Sequence, residues 1–434
     1  LPALLLNGPT LAIYPLLSLM ADQERRLRER NIPALVLRGG QSREEREALW
    51  VRVRSGECRI IIANPEVLLS PPVFERLGSL GIVHLVIDEA HCVSEWGEQF
   101  RPSYLEIGRI ISAAAGTAGQ DGSGERRLPL ITAFTATAGA PVLEKIERYI
   151  FGERGARRIA GNPDRDNISY AARGCILRDP AVRDLLRVNS RPALVFCSSR
   201  TGTERLARYL RNELADQEIR FYHAGLSSTE KTALENWFLP NSRGILVCTC
   251  AYGMGVDKAD IRTVIHRDCP PSVEAYLQES GRAGRDRLQS KAILLWGPDD
   301  QALRRFPGAR QRGLLDYARN AGVCRRTALL RLLHVEGGGE SGGPECCDVC
   351  AGRASGELRE VPSLRQFFRR NARRYTLTEA AAVLSQDGHP GWSEEEAGRA
   401  LRQLIKAGIV RESKNPLWYR RLYAKPPAAR SISR

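Results

Sequence analysis

Short apolar runs alternate with charged, helix-patterned stretches along most of the chain. TLAIYPLLSL (10–19) reads as a strand and turn leading into the charged helix ADQERRLRER, and ALVLRGG (34–40) and RIIIANPEVLLS (59–70) follow as further strands. VHLVI (83–87) and PLITAFTATA (129–138) complete this series, with a helix expected near 103–115 and another from about Pro141. The rhythm restarts with PALVFCSSR (192–200), a helix over 201–214, IRFYHAG and a helix over 229–238. GILVCTCAYGMG (244–255), TVIHRD (263–268) and AILLWG (292–297) extend it. Runs that are apolar at nearly every position fit strands buried on both faces, and intervening helical stretches fit the crossovers of parallel sheets. The pattern predicts an α/β chain with two parallel-sheet domains in series and a ligand cleft between them.

The texture changes near residue 298. A basic helical stretch containing Cys324 leads through a glycine-rich loop to ECCDVC (345–350). The tail then offers helical segments at TLTEAAAVL and SEEEAGRALRQLIKAGIV, the second opened by Ser393 and Glu396 in capping-box spacing. ESKNPLWYRRLYA fits a turn and hairpin, so helix, helix, hairpin outlines a winged helix, and KPPAARSISR fits a disordered end. The expected divisions are 1–155, 156–297, 298–352, 353–425 and 426–434.

A length of 434 residues suits about two to four domains. The net charge of +15 favours a polyanionic partner, because phosphate contacts release counterions. Eleven cysteines without a secretory pattern point to a reducing compartment, the cytoplasm or a bacterial nucleoid, where a close cysteine cluster reads as a metal site. The other cysteines, Cys58, Cys92, Cys175, Cys197, Cys248, Cys250 and Cys269, read as packing residues. Pro2, Asn7, Gly8, Pro9 and Pro15 interrupt the first apolar stretch, and neither a signal peptide nor a membrane helix fits it. The chain opens on Leu and already inside an apolar element, which reads as a fragment.

Asp88 and Glu89 follow a buried strand, at the edge where parallel sheets bind ligands. A carboxylate there suits Mg²⁺, a hard cation that prefers oxygen, and a second suits the water that attacks a γ-phosphate. His91, Trp96, Phe100, Arg101 and Tyr104 crowd the next residues, an aromatic and basic group suited to nucleic acid. In SGRAGRD, Arg282 and Arg285 share a face if the segment is helical, and Gln278 precedes them. Permanently charged guanidinium groups suit phosphate. Gly255 permits close backbone approach beside Asp257, which reads as a partner for a ribose hydroxyl or for an arginine of the other domain.

In order, AIYPLLSLMADQ, ANPEVL, IDEAHCVSEWG, AFTATA, LVFCSSR, YHAGLS, TCAYGMGVDKADIR and QESGRAGRD resemble the motif series of superfamily-2 helicases, and among these the RecQ family of DNA helicases. The resemblance covers most of residues 1–300 and extends through the cysteines to about 352. It implies two tandem RecA-like domains, the first incomplete, then a zinc-binding helical module and a winged-helix-like tail. It also implies ATP, Mg²⁺ and Zn²⁺ as cofactors, 3′-to-5′ unwinding in repair or recombination, single-stranded and forked DNA as partners, and a single-strand-binding protein as a further partner. Asp88 and Glu89 become the acids of a DEAH box, His91 couples them to Thr135-Ala136-Thr137, and Arg282 and Arg285 become the γ-phosphate arginines. Trp96, Phe100, Arg101 and Tyr104 fall in the aromatic-rich loop that couples hydrolysis to DNA, although Glu98 and Gln99 stand where the family has His and Asp. Ser198, Arg200 and Thr249 are implied DNA contacts.

Cys324, Cys346, Cys347 and Cys350 match the family's zinc ligands in number, but Cys346 and Cys347 are adjacent where the family separates them. Three cysteines with His334 or Asp348 form the alternative ligand set. No GxxxxGK[ST] phosphate loop occurs in the chain, nor any Gly-Lys pair. Residues 1–434 are therefore expected to hydrolyse ATP little, and a non-catalytic DNA-binding remnant and an RNA helicase stand as the other readings.

Overall fold

All four residues of β1 (Thr10–Ile13) are buried, and the strand is the middle one of a parallel sheet. Around it lie β2 (Ala34–Val36), β3 (Ile60–Ala63), β4 (His84–Ile87) and β5 (Leu130–Ala133), in the order β2-β3-β1-β4-β5. The computed structural model describes residues 2–95, 102–115, 128–135, 139–159, 161, 164–252, 258–300, 309–333, 343, 345–386 and 391–424. They fold as two units, Leu1–Pro163 and Asp164–Arg434. In the first unit α1 (Leu17–Glu29), α2 (Arg43–Arg54) and α3 (Ile107–Ala114) flank the sheet. Leu11, Ile13, Ile61, Leu85 and Ile87 are fully buried in its core, each contributing roughly 1.5–3 kcal/mol. The helix expected near 103–115 starts at Ile107, after a 3₁₀ turn at Pro102–Tyr104.

The second unit repeats the plan. β7 (Ala193–Phe196), β8 (Ile219–Tyr222), β9 (Ile245–Cys248), β10 (Thr263–His266) and β11 (Ser290–Trp296) take the order β8-β9-β7-β10-β11, matching β2-β3-β1-β4-β5 strand for strand. One further strand, β6 (Ile168–Gly174), pairs in parallel outside β11. The apolar-run pattern misses β6, because only alternate residues of that strand are buried. Its outer edge is covered by a later part of the chain, with bridges from Tyr170 to Cys347 and from Gly174 to Leu358. The helices of this sheet are α4 (Arg178–Val188), also unmarked in the sequence pattern, α5 (Arg200–Leu214), α6 (Ser228–Phe238) and α7 (Val273–Ser280).

α8 (Ala309–Arg319) and α9 (Arg325–Leu332) follow, then α10 (Val361–Arg370), α11 (Leu377–Gln386) and α12 (Glu394–Lys406). Ser393 and Glu396 form the expected capping box on α12. β12 (Val410–Glu412) and β13 (Leu422–Ala424) pair antiparallel as the hairpin. The tail belongs to the same unit as the second sheet, since one buried cluster joins Leu294 and Trp296 of β11 to Leu314, Cys346, Phe368 and Leu401. Tyr209 Oη donates to Glu396 Oε1 at 2.8 Å, and Arg183 Nη2 to the Gly391 carbonyl at 3.1 Å.

Candidate functional site

The ladder of β1 and β4 continues one residue past the strand, with the Asp88 N–H donating to the Ile13 carbonyl at 2.9 Å. This puts the Asp88 carboxylate at the carboxyl edge of the first sheet. Burial, and then the neighbouring Glu89 charge, raise its pKa, so an ionised Asp88 is costly until a cation approaches. Tyr14, which the motif reading passed over, follows β1; burial and then the Asp88 charge push its hydroxyl up to about 12. Glu89 has a left-handed backbone, φ 48°, which costs a non-glycine residue on the order of 1 kcal/mol or more. Its N–H donates to Asp88 Oδ1 at 3.0 Å, and its Oε2 lies 3.2 Å from His91 Nδ1. The same His91 nitrogen is 3.2 Å from Thr135 Oγ1. Two acids, an imidazole and a threonine hydroxyl are therefore linked across β4 and β5.

Tyr104 needs correction. Its side chain is fully buried and its hydroxyl donates to the Asp88 carbonyl at 3.3 Å, so the ring supports the acid pair from within the core and has no open face for a base. Trp96, Phe100 and Arg101 lie outside the described residues, as do Ala136 and Thr137.

In the second unit α7 starts at Val273 with Ser272 Oγ accepting the Ala275 N–H at 3.1 Å, and it ends at Ser280. Gln278 is half-buried on this helix. The helical reading of SGRAGRD fails here: Arg282 and Arg285 follow in turns, and Gly284 has φ +55°. Arg282 is 5% exposed; burial, and then Arg285, lower the pKa of its guanidinium, while the Glu279 charge opposes them. Glu279 Oε2 also lies 2.9 Å from His266 Nε2. Arg285 is exposed. A methyl group on Gly284 would sit 2.5 Å from Asn167 Nδ2 and 2.6 Å from the Leu288 carbonyl. Gly284→Ala is expected to destabilise the second unit by about 2–4 kcal/mol, combining overpacking with left-handed strain. A urea midpoint within experimental error of the parent chain would refute this.

Ser198 and Thr249 follow the carboxyl ends of the paired strands β7 and β9, and Arg200 starts the helix after β7. The Ser198 N–H and Oγ donate to Asp268 Oδ2 at 2.9 and 3.1 Å. Arg200 opens α5 and is exposed, while Thr249 is largely buried, its N–H donating to the Tyr222 carbonyl at 3.1 Å. Gly255 and Asp257 lie outside the described residues.

The cysteine cluster is the most compact group of donors. The sulfurs of Cys324, Cys346, Cys347 and Cys350 lie within 4.8 Å of one another, with Cys324 to Cys346 at 3.6 Å and Cys324 to Cys347 at 3.8 Å. A disulfide requires about 2.05 Å. A tetrahedron with Zn–S bonds of about 2.3 Å separates its sulfurs by about 3.8 Å, so these cysteines fit such an ion. Cys324 caps α9; burial opposes its ionisation, yet hydrogen bonds from the Thr327 N–H and hydroxyl, then from the Cys350 and Cys346 thiols, bring its pKa down to about 7. Adjacency does not keep Cys346 and Cys347 from sharing one site, since both sulfurs lie within 4.8 Å of those of Cys324 and Cys350; Cys347 also stands at the bridge to Tyr170.

The Asp348 alternative is overturned: Oδ1 and Oδ2 accept Arg325 Nε and Nη2 at 2.8 and 3.2 Å, and Oδ2 also accepts the Ala172 N–H at 3.0 Å. His334 lies outside the described residues. Of the cysteines expected in packing roles, Cys250 is exposed and the others are buried.

Residues 1–146 match the DEAD/DEAH box helicase family, and residues 178–287 match the helicase conserved C-terminal domain. The DEAD-box helicase Mss116 bound to single-stranded RNA superposes with a TM-score of 0.52 at 16% identity, covering 95% of this chain and 81% of that one. The DUF1998 helicase MrfA bound to DNA gives 0.52 at 18% identity, covering 96% and 54%. The repeated RecA-like sheet and the acid pair after β4 thus define a DEAD/DEAH-type helicase fold.

ATP-dependent DNA helicase RecQ of Haemophilus influenzae is 31% identical over 365 residues, 81% of this chain and 56% of that protein. Probable ATP-dependent DNA helicase RecS of Bacillus subtilis is 35% identical over 304 residues, 69% of this chain and 58% of that protein. The chain belongs to the RecQ family of superfamily-2 helicases. It spans little more than half the length of these relatives. Among the described residues no helix is long and apolar enough to cross a membrane.

Proposed function

We propose that this chain is the motor portion of an ATP-dependent DNA helicase that moves 3′ to 5′ on single-stranded DNA and opens forked duplexes. The observation that carries the reading is the linked group Asp88, Glu89, His91 and Thr135 at the end of β4. Asp88, whose pKa is raised by burial and then by the Glu89 charge, is the residue for Mg²⁺, which when bound would neutralise phosphate oxygens. Glu89 orients the attacking water, and His91 carries the state of that acid to Thr135 and so to β5. Arg282 and Arg285 carry positive charge suited to a γ-phosphate. Cys324, Cys346, Cys347 and Cys350 hold a structural zinc ion, which closes the loop after α9.

The helices α10 to α12 with their hairpin form a winged helix that contacts DNA. Support comes from the hairpin loop, where Leu417 and Tyr419 are exposed and Arg373 lies 5.1 Å from the centre of the Trp418 ring. Exposed rings among arginines suit stacking on bases and pairing with phosphates.

A second reading is DNA binding without a motor, and ATP turnover by residues 1–434, which contain no Gly-Lys phosphate loop, is the first test between the two. The purified chain is expected to bind 3′-tailed DNA with strong salt dependence and to show negligible DNA-stimulated ATP turnover. Robust turnover would overturn the second reading and the importance given to that loop. Joining a strand and phosphate loop ahead of Leu1 and assaying unwinding of DNA and RNA duplexes separates motor from remnant, and DNA from RNA as substrate.

A further inference from the structure

Where the chain enters the second unit, a short segment is gripped by two sites distant in sequence. Arg165 Nη2 donates to the Gly284 carbonyl at 2.8 Å, and Nη1 to the Gly281 carbonyl at 3.4 Å. Asn167 Nδ2 donates to the carbonyls of Gly284 and Leu288 at 2.8 and 2.9 Å, and the Asn167 carbonyl accepts the Ser290 N–H at 2.9 Å. These partners belong to the turn that carries Arg282 and Arg285 and to the strand that follows it. The fit is close: only a glycine at 284 leaves room for the Asn167 amide.

Arg326 holds the same segment from the other side. This residue, two positions after Cys324, is 5% exposed. Its Nη1 donates to Asp164 Oδ1 at 2.5 Å, its Nη2 to the carbonyls of Asp166 and Ile168 at 3.3 and 3.1 Å, and its Nε to Cys346 Sγ at 3.3 Å. A single guanidinium therefore ties a cysteine of the cluster to Asp164, Asp166 and Ile168, while Arg165 and Asn167, interleaved with them, hold the arginine turn. A planar fork with several fixed donors is well suited to this, because moving any one acceptor misaligns the rest.

We propose that Arg326, Arg165 and Asn167 are positioning residues through which metal loading of the cysteine cluster sets the placement of the Arg282–Arg285 turn. A bound metal fixes the position of the Cys346 sulfur, which fixes Arg326 and the entry segment, and the segment then fixes the carbonyls of Gly281 and Gly284. Its meaning for hydrolysis rests on the proposed role of Arg282 and Arg285, but the mechanical link does not and is tested without nucleotide.

Hydrogen exchange of residues 1–434, read by mass spectrometry, provides that test. The Gly284 N–H, bonded to the Ile261 carbonyl at 2.8 Å, and the Ser290 N–H are the reporters. Stripping zinc with a chelator is expected to speed exchange over 281–290 about tenfold or more, with the amides of β7 and β9 unchanged and zinc re-addition restoring protection. Arg326→Gln is expected to loosen 281–290 in the same way while still binding one zinc, and Arg326→Lys to restore part of the protection. Asn167→Ala should loosen the turn without changing the rate of zinc release. Unchanged exchange at 281–290 after chelation overturns the link. So does uniform acceleration across the second sheet, which would make zinc a general support of the fold. Should Arg326→Gln fail to fold, chelation of the unsubstituted chain decides by itself. Failure of the arginine reading would appear elsewhere, as normal ATP turnover of Arg285→Ala in a chain joined to a phosphate loop.

Discussion

Arg285→Ala, placed in a chain joined to a phosphate loop, is expected to lower DNA-stimulated ATP hydrolysis by about 10³-fold or more, with affinity for single-stranded DNA within about twofold of the parent. Arg285 is the better of the two arginines for this test. It is exposed, so removing it leaves no buried cavity, whereas Arg282 is 5% exposed and its loss would also disturb the core beside Glu279. A loss of this size corresponds to about 4 kcal/mol of transition-state stabilisation, within reach of a charged donor aimed at developing phosphate charge. Steady-state turnover and fluorescence anisotropy on one preparation give both readouts. Lost DNA binding with normal hydrolysis would remove Arg285 from the nucleotide site.

Cys347→Ser is expected to abolish binding of the proposed zinc ion and to lower the melting temperature of the second unit by about 10 °C. Cys347 is fully buried and stands at the parallel bridge to Tyr170, and its sulfur accepts the N–H groups of Arg325 and Cys350, each at 3.4 Å. Its loss therefore reaches beyond the metal. Asp348 anchors Ala172 of β6 and the buried Arg325, so the outer edge of the second sheet loosens as the cluster opens. Metal analysis with calorimetry checks both parts of this expectation. Full zinc content in the variant would show that three cysteines suffice, and no zinc in the parent chain would end the argument for a metal site.

Much of the two-sheet fold was legible because strands buried on both faces are apolar at nearly every position. TLAI, RIIIA, HLVI, ALVF, ILVC and TVIH all carry that mark and all became strands of the two sheets. β6 and α4 were not legible. β6 buries alternate residues and takes its outer cover from residues more than a hundred positions later, which no local pattern records. The acid pair was visible as DE after an apolar run, but the left-handed backbone of Glu89 was not, since it arises from the turn imposed at the end of β4.

The sequence by itself determined the parallel-sheet class, the order of the motifs, the identity of the acids, arginines and cysteines, and the lack of a Gly-Lys pair. These depend on residue type and spacing alone. Tertiary structure decided whether those residues meet. It buried Tyr104 beneath Asp88, brought four sulfurs within 4.8 Å despite adjacent cysteines, gave Asp348 to Arg325, and ended α7 before Arg282. It also joined Arg326 to Cys346 and Asp164, a contact spanning 162 residues on one side and 20 on the other. Hydrogen-bond geometry at such separations is set by how sheets and helices pack. Motif spacing carries no information about it.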